Sequence, residues 1–404
     1  MASQVSTRIM FVRLYADNYR CFSAFTLELG SLSVLLGSNG TGKSTVLALF
    51  AKVRDFVTGR GKSLDLFPAE SLCRWDKRIE QTFELALNLE EQGEYVYRLR
   101  IRHEAPERAL NKIVEETLSL NGKPLFEGND QEIRLHNDWQ SGNAVGMQPD
   151  WHVSGISRVY ERNDNKKLVA FRKAFETMLV LQLNPALVSA VATGKQSVQI
   201  PTPDCSDFAA WLRYISTAEA LVRQEAENSL TMGSLPGFRA FQAIPSGDAE
   251  ILECVFQSKP KALKFRLDEL SSGQIALIIL EVAIAAATEH GGVLLLDEPS
   301  NFLGLPEIQP ILVRLQDAAL EGRFQVVLTA HHPIAVDLLA SGYGLWLDRE
   351  PAGPTRVYRV QMADNTMDDK SAMRVSDLVA RGWVSALGIS RSTNQETGSS
   401  STVQ

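Results

Sequence analysis

Residues Gly37 to Thr45 read GSNGTGKST and lie between the strand-like run SLSVLL and the helix-like run VLALFAKV. The spacing is G-x-x-x-x-G-K-S, with Gly40 inside the loop. Glycines let the backbone turn tightly, so that its N–H groups can face one centre and surround phosphates, and the helix that follows adds its positive end. The stretch therefore predicts a phosphate-binding loop between a strand and a helix.

The side chains of this loop predict which parts of a nucleotide it contacts. Lys43 is placed to reach the β- and γ-phosphates, and Ser44 is placed to bind Mg²⁺. The alternative is a chance glycine turn, which the strand before the loop and the helix after it argue against. The pattern predicts binding of ATP or GTP and leaves the choice between them open.

The composition predicts a soluble globular protein. The chain has 404 residues, of which 45% are apolar and 22% are charged. These values suit either one elaborated domain or two to three lobes with a large core. The net charge of −7 argues against a protein that coats nucleic acid non-specifically, and it leaves a local basic patch open.

The cysteines and the apolar runs predict a cytoplasmic chain without membrane contact. The four cysteines are scattered and form no C-x-x-C pair, which indicates a reduced compartment and no zinc site. They are Cys21, Cys73, Cys205 and Cys254. The N-terminus lacks the long apolar segment of a signal peptide. The most apolar run, Ile275 to Thr288, is shorter than the ~20 residues that span a bilayer, so we expect a buried helix.

The alternation of strand-like and helix-like segments predicts an α/β fold with a mainly parallel sheet covered by helices on both faces. Residues 81–126 predict antiparallel strands, whereas Asn163 to Leu181 and Trp211 to Leu230 predict helices. Helices and strands alternate again after Leu270. We therefore predict four segments: 1–60 and 262–362 as the halves of a nucleotide-binding core, 61–261 as an inserted β and helical lobe, and 363–404 as a C-terminal helix with a disordered tail.

Three motifs in the second half of the chain complete the predicted site. GGVLLLDEPS brings Asp297 and Glu298 to the end of an apolar strand, where they can serve Mg²⁺ and the attacking water or form a plain surface pair. ELSSGQ places Ser271 at a helix start, either as a helix cap or as a γ-phosphate sensor for a second subunit. VVLTAHHP ends a strand at His331 and His332, which either contact the γ-phosphate or water or simply enter the next helix.

Together these motifs resemble those of a known class. GSNGTGKST, ELSSGQ, LLLDEP and TAHHP, in this order, resemble the ABC-type ATPase heads of the RecF, SMC (structural maintenance of chromosomes) and OLD (overcoming lysogenisation defect) class. NYRCF, Asn18 to Phe22, is similar to the start of that class, and VEETLSLNGKPLF, LPGF and DEPSNFLGLPEIQPIL are similar to its compact bacterial branch. The resemblance covers about residues 9–362. It implies an ABC-type P-loop fold and two heads that sandwich two ATP molecules with Mg²⁺.

The resemblance also implies a role for each matching residue. Lys43, Glu298 and His331 correspond to the phosphate-binding lysine, the catalytic base and the switch histidine. Ser44 and Asp297 correspond to the Mg²⁺ ligand and the Mg²⁺-linked aspartate. The remaining implied nucleotide contacts are Arg20, Gly37, Ser38, Asn39, Gly40, Thr41, Gly42 and Thr45 in the same chain, and Ser271 and Gly273 from a second subunit.

The sequence departs from the class at three positions. Ser272 replaces the first glycine of the usual signature, which weakens the expected contact with a partner's nucleotide. Gly304 stands where transporter-like members have an aspartate, so the communication between two sites is in doubt. A Q-loop glutamine is not obvious, and Gln81 is a weak candidate. The chain also lacks the long coiled coil of chromosome-organising members and the nuclease domain of OLD proteins.

Two functions are compatible with these motifs. The first is an ATPase switch that forms a homodimer or higher oligomer and controls a separately encoded effector, such as a nuclease or toxin in phage defence. The second is a DNA-binding repair or clamp ATPase, supported by two basic groups that a solvated surface would also explain. These groups are Arg98, Arg100 and Arg102 on one strand face, and Lys166, Lys167, Arg172 and Lys173. The energising subunit of a transporter fits poorly, because of the insertion and the double histidine.

Overall fold

The computed structural model describes residues 8–90, 92–105, 110–139, 145–194, 198–258, 261–351, 353–361 and 374–381. The strands, in chain order, are β1 Ile9–Asp17, β2 Phe25–Glu28, β3 Leu32–Leu36, β4 Glu80–Leu89, β5 Gly93–Ala105, β6 Leu110–Leu120, β7 Lys123–Asn129, β8 Ile133–Leu135, β9 Val145–Met147, β10 Met178–Leu181, β11 Val191–Thr193, β12 Phe238–Ser246, β13 Ala249–Phe256, β14 Leu263–Arg266, β15 Val293–Leu296, β16 Gln325–Thr329, β17 Gly344–Arg349 and β18 Thr355–Arg359. The helices are α1 Lys43–Val57, α2 Ser63–Leu66, α3 Lys166–Glu176, α4 Phe208–Ala218, α5 Ala220–Ser229, α6 Ser272–His290, α7 Leu305–Leu320, α8 Pro333–Tyr343 and α9 Val375–Ala380.

A six-stranded sheet forms the centre of the fold, in the order β10-β15-β16-β3-β17-β18. The first five strands are parallel, and β18 pairs antiparallel at one edge. Every residue of β3, β10, β15 and β16 is buried, which explains why these strands are runs of apolar residues rather than alternating ones. The mainly parallel sheet predicted from the sequence is therefore present.

Different elements cover the two faces of this sheet. The apolar residues of α6, α7 and α8 pack on the face that includes Val34 and Leu294. The opposite face, which includes Leu35 and Leu295, packs against α1, α3 and an eight-stranded antiparallel sheet. That second sheet has the order β2-β1-β4-β5-β6-β7-β8-β9, so the predicted antiparallel strands are also present.

A third, smaller sheet lies beside α6. Strand β13 is its centre and pairs antiparallel with β11, β12 and β14. Its buried residues, together with those of α4 and α5, belong to the same apolar core as α6.

The helix predicted over Trp211 to Leu230 consists of two helices, α4 and α5, with a break at Glu219.

The prediction of a continuous helix over Asn163 to Leu181 is wrong at its end. Helix α3 ends at Glu176, and Met178–Leu181 is strand β10, which pairs in parallel with β15. A short apolar run such as MLVL fits a buried helix and a buried strand equally well. Here the run is a strand because it pairs with the outer edge of β15. Residues 61–261, predicted as an insertion, thus contribute one strand to the central sheet. The predicted segment boundaries otherwise remain predictions.

Helix α6 is buried, as its composition predicts. Among the described residues it is the one helix long and apolar enough to cross a membrane, but 72% of its most apolar window is buried inside the protein. Helix α9 lies in the predicted C-terminal segment, whereas residues 382–404, which include the predicted disordered tail, lie outside the described residues.

One charged residue interrupts the apolar surface of α6. The Glu281 carboxylate is fully buried and lies 2.6 Å from the Arg314 guanidinium of α7. Ser234 donates a second hydrogen bond to it at 2.8 Å, and Arg314 also donates to Ser229. The pair joins α6, α7 and the segment that follows α5. A buried carboxylate of this kind is costly without its partner.

Arg314→Ala should therefore lower the free energy of unfolding by about 3 kcal/mol, because the Glu281 carboxylate loses its cation while it stays buried. The measurement is urea unfolding followed by circular dichroism. Arg323→Ala is the matched control, because Arg323 pairs at 2.9 Å with Glu321 on the surface and should contribute less than about 1 kcal/mol. Equal effects of the two substitutions would show that Glu281 does not depend on Arg314.

Candidate nucleotide-binding site

The phosphate loop, Gly37 to Thr45, connects β3 to α1 and has little room for side chains. Gly37 has φ 138°, and a Cβ there would lie 2.2 Å from the carbonyl oxygen of Leu347. Gly42 has φ 103°, and a Cβ there would lie 2.7 Å from Cys21 Sγ. These two glycines are required by close packing as well as by the turn. Gly40, at φ 78°, has open space around it and faces the cavity.

Lys43 points back into the loop. Its ammonium group donates hydrogen bonds to the carbonyl oxygens of Gly37 at 2.8 Å and Ser38 at 3.0 Å. The residue is buried, and this burial lowers the pKa of Lys43, whereas the nearby Glu298 and Asp297 carboxylates raise it. A cation is thus fixed at the centre of a ring of backbone groups, as a phosphate site requires.

The ends of β15 and β16 meet the start of α1 through Asp297. Ser44 donates to Asp297 Oδ1 at 3.1 Å, and Thr329 donates to the same oxygen at 2.7 Å. The hydroxyl and the carboxylate predicted to serve Mg²⁺ are therefore neighbours, and oxygen ligands of this kind suit Mg²⁺. The described residues contain no cluster of three or more His, Cys, Asp or Glu that could hold a metal ion.

Glu298 follows Asp297 on a strained turn. It has φ 49°, which is uncommon for a residue with a side chain, and its N–H donates to Thr329 Oγ1 at 2.9 Å. Strain of this kind concentrates at functional sites, where it fixes a side chain in one direction. Burial raises the pKa of Glu298, and the nearby Lys43 opposes this shift. A carboxylate with a raised pKa is a better proton acceptor than a free one.

His331 lies next to this carboxylate. Its Nε2 is 3.3 Å from Glu298 Oε1, and its backbone N–H also hydrogen-bonds the Glu298 carboxylate. Burial and the nearby Lys43 lower the pKa of His331. Because the pKa of His331 is lowered, its imidazole is uncharged at neutral pH, and its contact with Glu298 is a hydrogen bond rather than an ion pair. The neutral imidazole can donate a hydrogen bond to the carboxylate or to a ligand.

A cavity of about 780 Å³ opens over these groups. Most of the predicted site residues line it, namely Arg20, Asn39, Gly40, Gly42, Lys43, Ser44, Thr45, Glu298 and His331. Asp297 lies below the cavity floor, while Gly37, Ser38 and Thr41 shape the loop. Seven further lining residues were not predicted from the sequence: Cys21, Glu70, Leu72, Arg74, Trp75, Asn301 and Arg349. Cys21 and Asn301 lie in the NYRCF and DEPSNFLGLPEIQPIL stretches without having been assigned a role, and the other five lie outside the quoted motifs, where sequence spacing gives no signal.

The signature residues lie outside this cavity. Ser271 caps α6, because its hydroxyl accepts from the N–H of Gln274 while its own N–H donates to the Gln274 side chain. Gly273 packs closely on the main chain at Phe302, where a Cβ would lie 2.9 Å from the carbonyl oxygen. Both signature residues belong to a helix start, and Ser271 is exposed. A cap role within one chain and a contact with a second chain are therefore both compatible with this geometry.

Gln81, the weak Q-loop candidate, is buried away from the cavity. Its amide donates to Asn18 O and Ser71 Oγ, and its oxygen contacts His103 Nε2. These bonds connect β4 to β5 and to the turn after β1. Both the nitrogen and the oxygen of the Gln81 amide have hydrogen-bond partners in the core, and Gln81 does not line the nucleotide cavity.

Most of the basic residues in the two predicted groups have partners within the protein. On the face of β5, Glu80 pairs with Arg100 and Arg102, and Glu115 pairs with Arg98 and Arg100. In the second basic group, Lys173 pairs with Glu161, while Arg172 donates to the carbonyl of Val159 and Lys167 donates to that of Asp138. The two glutamates offset part of the positive charge on the face of β5, whereas bonds to carbonyl oxygens leave the charges of Arg172 and Lys167 in place.

Comparisons with known proteins identify the fold. No protein-family model matches the chain, and no curated protein matches it. The chain is similar to a solved Smc head bound to the C-winged helix domain of ScpA, with a TM-score of 0.53 and 12% sequence identity over 86% of this chain and 98% of that chain. The chain has the fold of an SMC head domain.

Two further SMC heads are similar at lower scores. The SMC head domain from Thermotoga maritima has a TM-score of 0.45 at 14% identity and covers 87% of this chain and 99% of that chain. The Smc head domain from Pyrococcus furiosus, with an extended coiled coil and bound to the C-terminal domain of ScpA, has a TM-score of 0.48 at 11% identity and covers 87% and 96%. The fold assignment rests on the first structure, and the compact OLD-like branch is not established by these comparisons.

Alanine substitution separates the roles of the loop glycines. Gly40→Ala should lower the free energy of unfolding by about 1 kcal/mol, because only its positive φ opposes the side chain. Gly37→Ala should cost about 2 kcal/mol more, because the Leu347 carbonyl must also shift. Thermal and urea unfolding without nucleotide provide the measurement. If both substitutions cost the same, the contact between the loop and β17 is not tight in solution.

Proposed function

We propose that the chain is a Mg²⁺-dependent ATPase switch, in which two heads close around ATP and control a separately encoded partner. The observation that carries the proposal is the convergence on one cavity of Lys43, the Ser44–Asp297 pair and Glu298. A nucleotide-binding protein without hydrolysis would need only the first two. Glu298, with its raised pKa and strained turn, adds a group suited to act on water.

Each residue of the site has a distinct task in this proposal. Lys43 leaves the loop carbonyls and donates to the β- and γ-phosphates. Ser44 and Asp297 hold Mg²⁺, which supplies charge neutralisation at the phosphate oxygens when bound. Glu298 orients the attacking water and accepts its proton. His331 donates a hydrogen bond that holds Glu298 or the γ-phosphate in place.

The second head enters through the signature. Ser271 is exposed at the start of α6, outside the cavity of its own chain. A helix start presents unpaired N–H groups and a positive dipole end, which suit the γ-phosphate of a nucleotide bound by another chain. A homodimer with two shared ATP molecules satisfies both halves of the site. A higher oligomer built from such dimers has the same composite sites.

The partner is the part of the proposal that rests on resemblance. The similar Smc head was solved with a domain of a separate protein, ScpA. By analogy, this head would act on a separately encoded effector, and the OLD-like motifs favour a nuclease or toxin in phage defence. A cytoplasmic location follows from the same proposal. Affinity purification from the native host, with and without ATP, tests for the effector, and recovery of the head alone in both conditions would contradict it.

The DNA-binding alternative has less support. Its two basic groups consist mainly of arginines and lysines that already pair with carboxylates or carbonyl oxygens. A backbone groove would require free cations and would give affinity that falls steeply with salt. A fluorescence anisotropy titration with duplex DNA at two salt concentrations separates the alternatives. Tight, salt-dependent binding would favour the clamp function over the effector switch.

Glu298→Gln should bind ATP normally but reduce kcat by about 100-fold or more, because the amide cannot accept a proton. In the wild type, turnover should fall on acidification at a pH above 4.5, since the raised pKa means that the carboxylate protonates earlier than a free glutamate. Steady-state phosphate release and nucleotide titration provide the measurements. Asn301 also lines the cavity, but its uncharged amide cannot accept a proton. Asn301→Ala is therefore the control and should lower kcat less than Glu298→Gln does. Turnover near the wild-type rate in Glu298→Gln would place the base elsewhere, with His331 next.

Ser271→Arg and Lys43→Ala test the shared site. Each variant alone should lose ATPase activity. In Ser271→Arg the arginine fills the space for the γ-phosphate bound by the partner, and in Lys43→Ala the phosphate loop loses its cation. Ser271→Arg should still bind ATP as a single chain. In a mixed dimer, one site keeps an intact loop and an intact signature, so activity should return in the mixture. Strict coupling of both sites would suppress this recovery.

ATP hydrolysis by Ser271→Arg, measured at protein concentrations low enough to keep it monomeric, decides between the two roles of Ser271. A Ser271→Arg variant that hydrolyses ATP at the wild-type rate as a monomer would contradict the shared site and leave Ser271 as a helix cap. Light scattering on Glu298→Gln provides the matching positive result, because slow hydrolysis should retain an ATP-bound dimer that wild type with ADP does not form.

A further inference from the structure

The nucleotide cavity has a second half that the phosphate groups do not need. Beyond the loop, its wall is formed by Arg20, Glu70, Arg74, Trp75 and Arg349. Trp75 keeps 37% of its surface exposed, although a large indole is normally covered. An exposed aromatic ring on the wall of a polar cavity is typical of a surface that stacks on a planar ligand.

The loop that carries Trp75, residues 69–75, is fixed to the turn after β1. The N–H of Arg20 donates to Ser71 O at 2.6 Å, and the N–H of Cys73 donates to Asn18 Oδ1 at 3.2 Å. Cys73 Sγ also contacts Phe22 O at 3.1 Å. Phe22 in turn packs against Gly42 of the phosphate loop. The position of Trp75 relative to the phosphate loop is therefore determined by contacts within the protein.

Arg349 orients the indole ring. Its guanidinium carbon lies 5.2 Å from the centre of the Trp75 ring, within the range of a cation–π contact. The same side chain donates to Gly40 O in the phosphate loop at 3.2 Å and to Gly353 O at 2.8 Å. Because these two carbonyls hold the guanidinium at the end of β17, the ring has a fixed partner. The remaining exposed part of the indole is open to the cavity.

From this geometry we infer that Trp75 is the stacking surface for the base of the bound nucleotide, with Arg349 as the residue that positions its ring. The inference rests on the proposed function and adds what holds the base. Stacking of a base on an aromatic side chain contributes about 1–3 kcal/mol, and the middle of that range, about 1.4–2.8 kcal/mol, corresponds to 10- to 100-fold in affinity. A ligand with the phosphates but without a base gains nothing from Trp75.

Inorganic tripolyphosphate is such a ligand, and it separates the two halves of the cavity. Isothermal titration calorimetry with Mg²⁺ should show that Trp75→Ala weakens ATP binding by about 10- to 100-fold and changes tripolyphosphate binding by less than about 2-fold. Trp75→Phe keeps an aromatic face and should retain ATP affinity within a few-fold. Trp139→Ala is the matched control, because Trp139 is exposed and lines a different cavity. Thermal unfolding checks that each variant is folded.

The outcomes distinguish this inference from the proposed function. Unchanged ATP affinity in Trp75→Ala, with both probes bound by the wild type, would overturn the stacking role alone. Equal weakening of ATP and tripolyphosphate would also overturn it, because Trp75 would then act by shaping the phosphate loop. If the wild type bound neither probe, or if Lys43→Ala bound ATP like the wild type, the proposed function would fail as well.

Discussion

The carboxylate of Asp297 accepts hydrogen bonds from Ser44, 253 residues away in sequence, and from Thr329. At this junction the first and the last part of the nucleotide-binding core form one site. Ser44 lies in the first turn of α1, Asp297 directly follows β15 and Thr329 ends β16. The order β15-β16-β3 makes these elements neighbours at one edge of the sheet, where parallel strands bind ligands. Without the junction, the phosphate loop and the acidic pair would be two separate surface features.

The same junction determines the electrostatics of the site. Lys43 and Asp297 are buried, and Glu298 is nearly so, which would be costly for isolated charges. Here the cation and the two carboxylates compensate one another in part, as the opposite effects of Lys43 on Glu298 and of Glu298 on Lys43 show. A partly compensated cluster of this kind holds its charged groups close together before a charged ligand binds, which lowers the cost of reorganisation.

Backbone strain is concentrated around the cavity in a way that complements this charge. Of the six non-glycine residues with positive φ among the described residues, Arg20 and Glu298 line the cavity, and Asn18 anchors the loop that carries Trp75. These turns direct the Arg20 and Glu298 side chains and the loop that carries Trp75 toward the cavity. Buried hydrogen bonds, such as those from Asn18 to the carbonyls of Arg78 and Glu80, hold the strained turn after β1 in place.

By itself, the sequence determined the phosphate loop, the acidic pair after a buried strand and the α/β order of the second half, because these depend on local spacing and on apolar runs that a short segment carries. The tertiary structure decided the rest. MLVL became strand β10 because the edge of β15 was free, and Arg98, Arg100 and Arg102 lost their apparent basic character because β4 and β6 place Glu80 and Glu115 beside them. Trp75 and Arg349 meet only when β17 lies next to β3. Contacts between distant residues leave no trace in spacing, so only the folded chain reveals them.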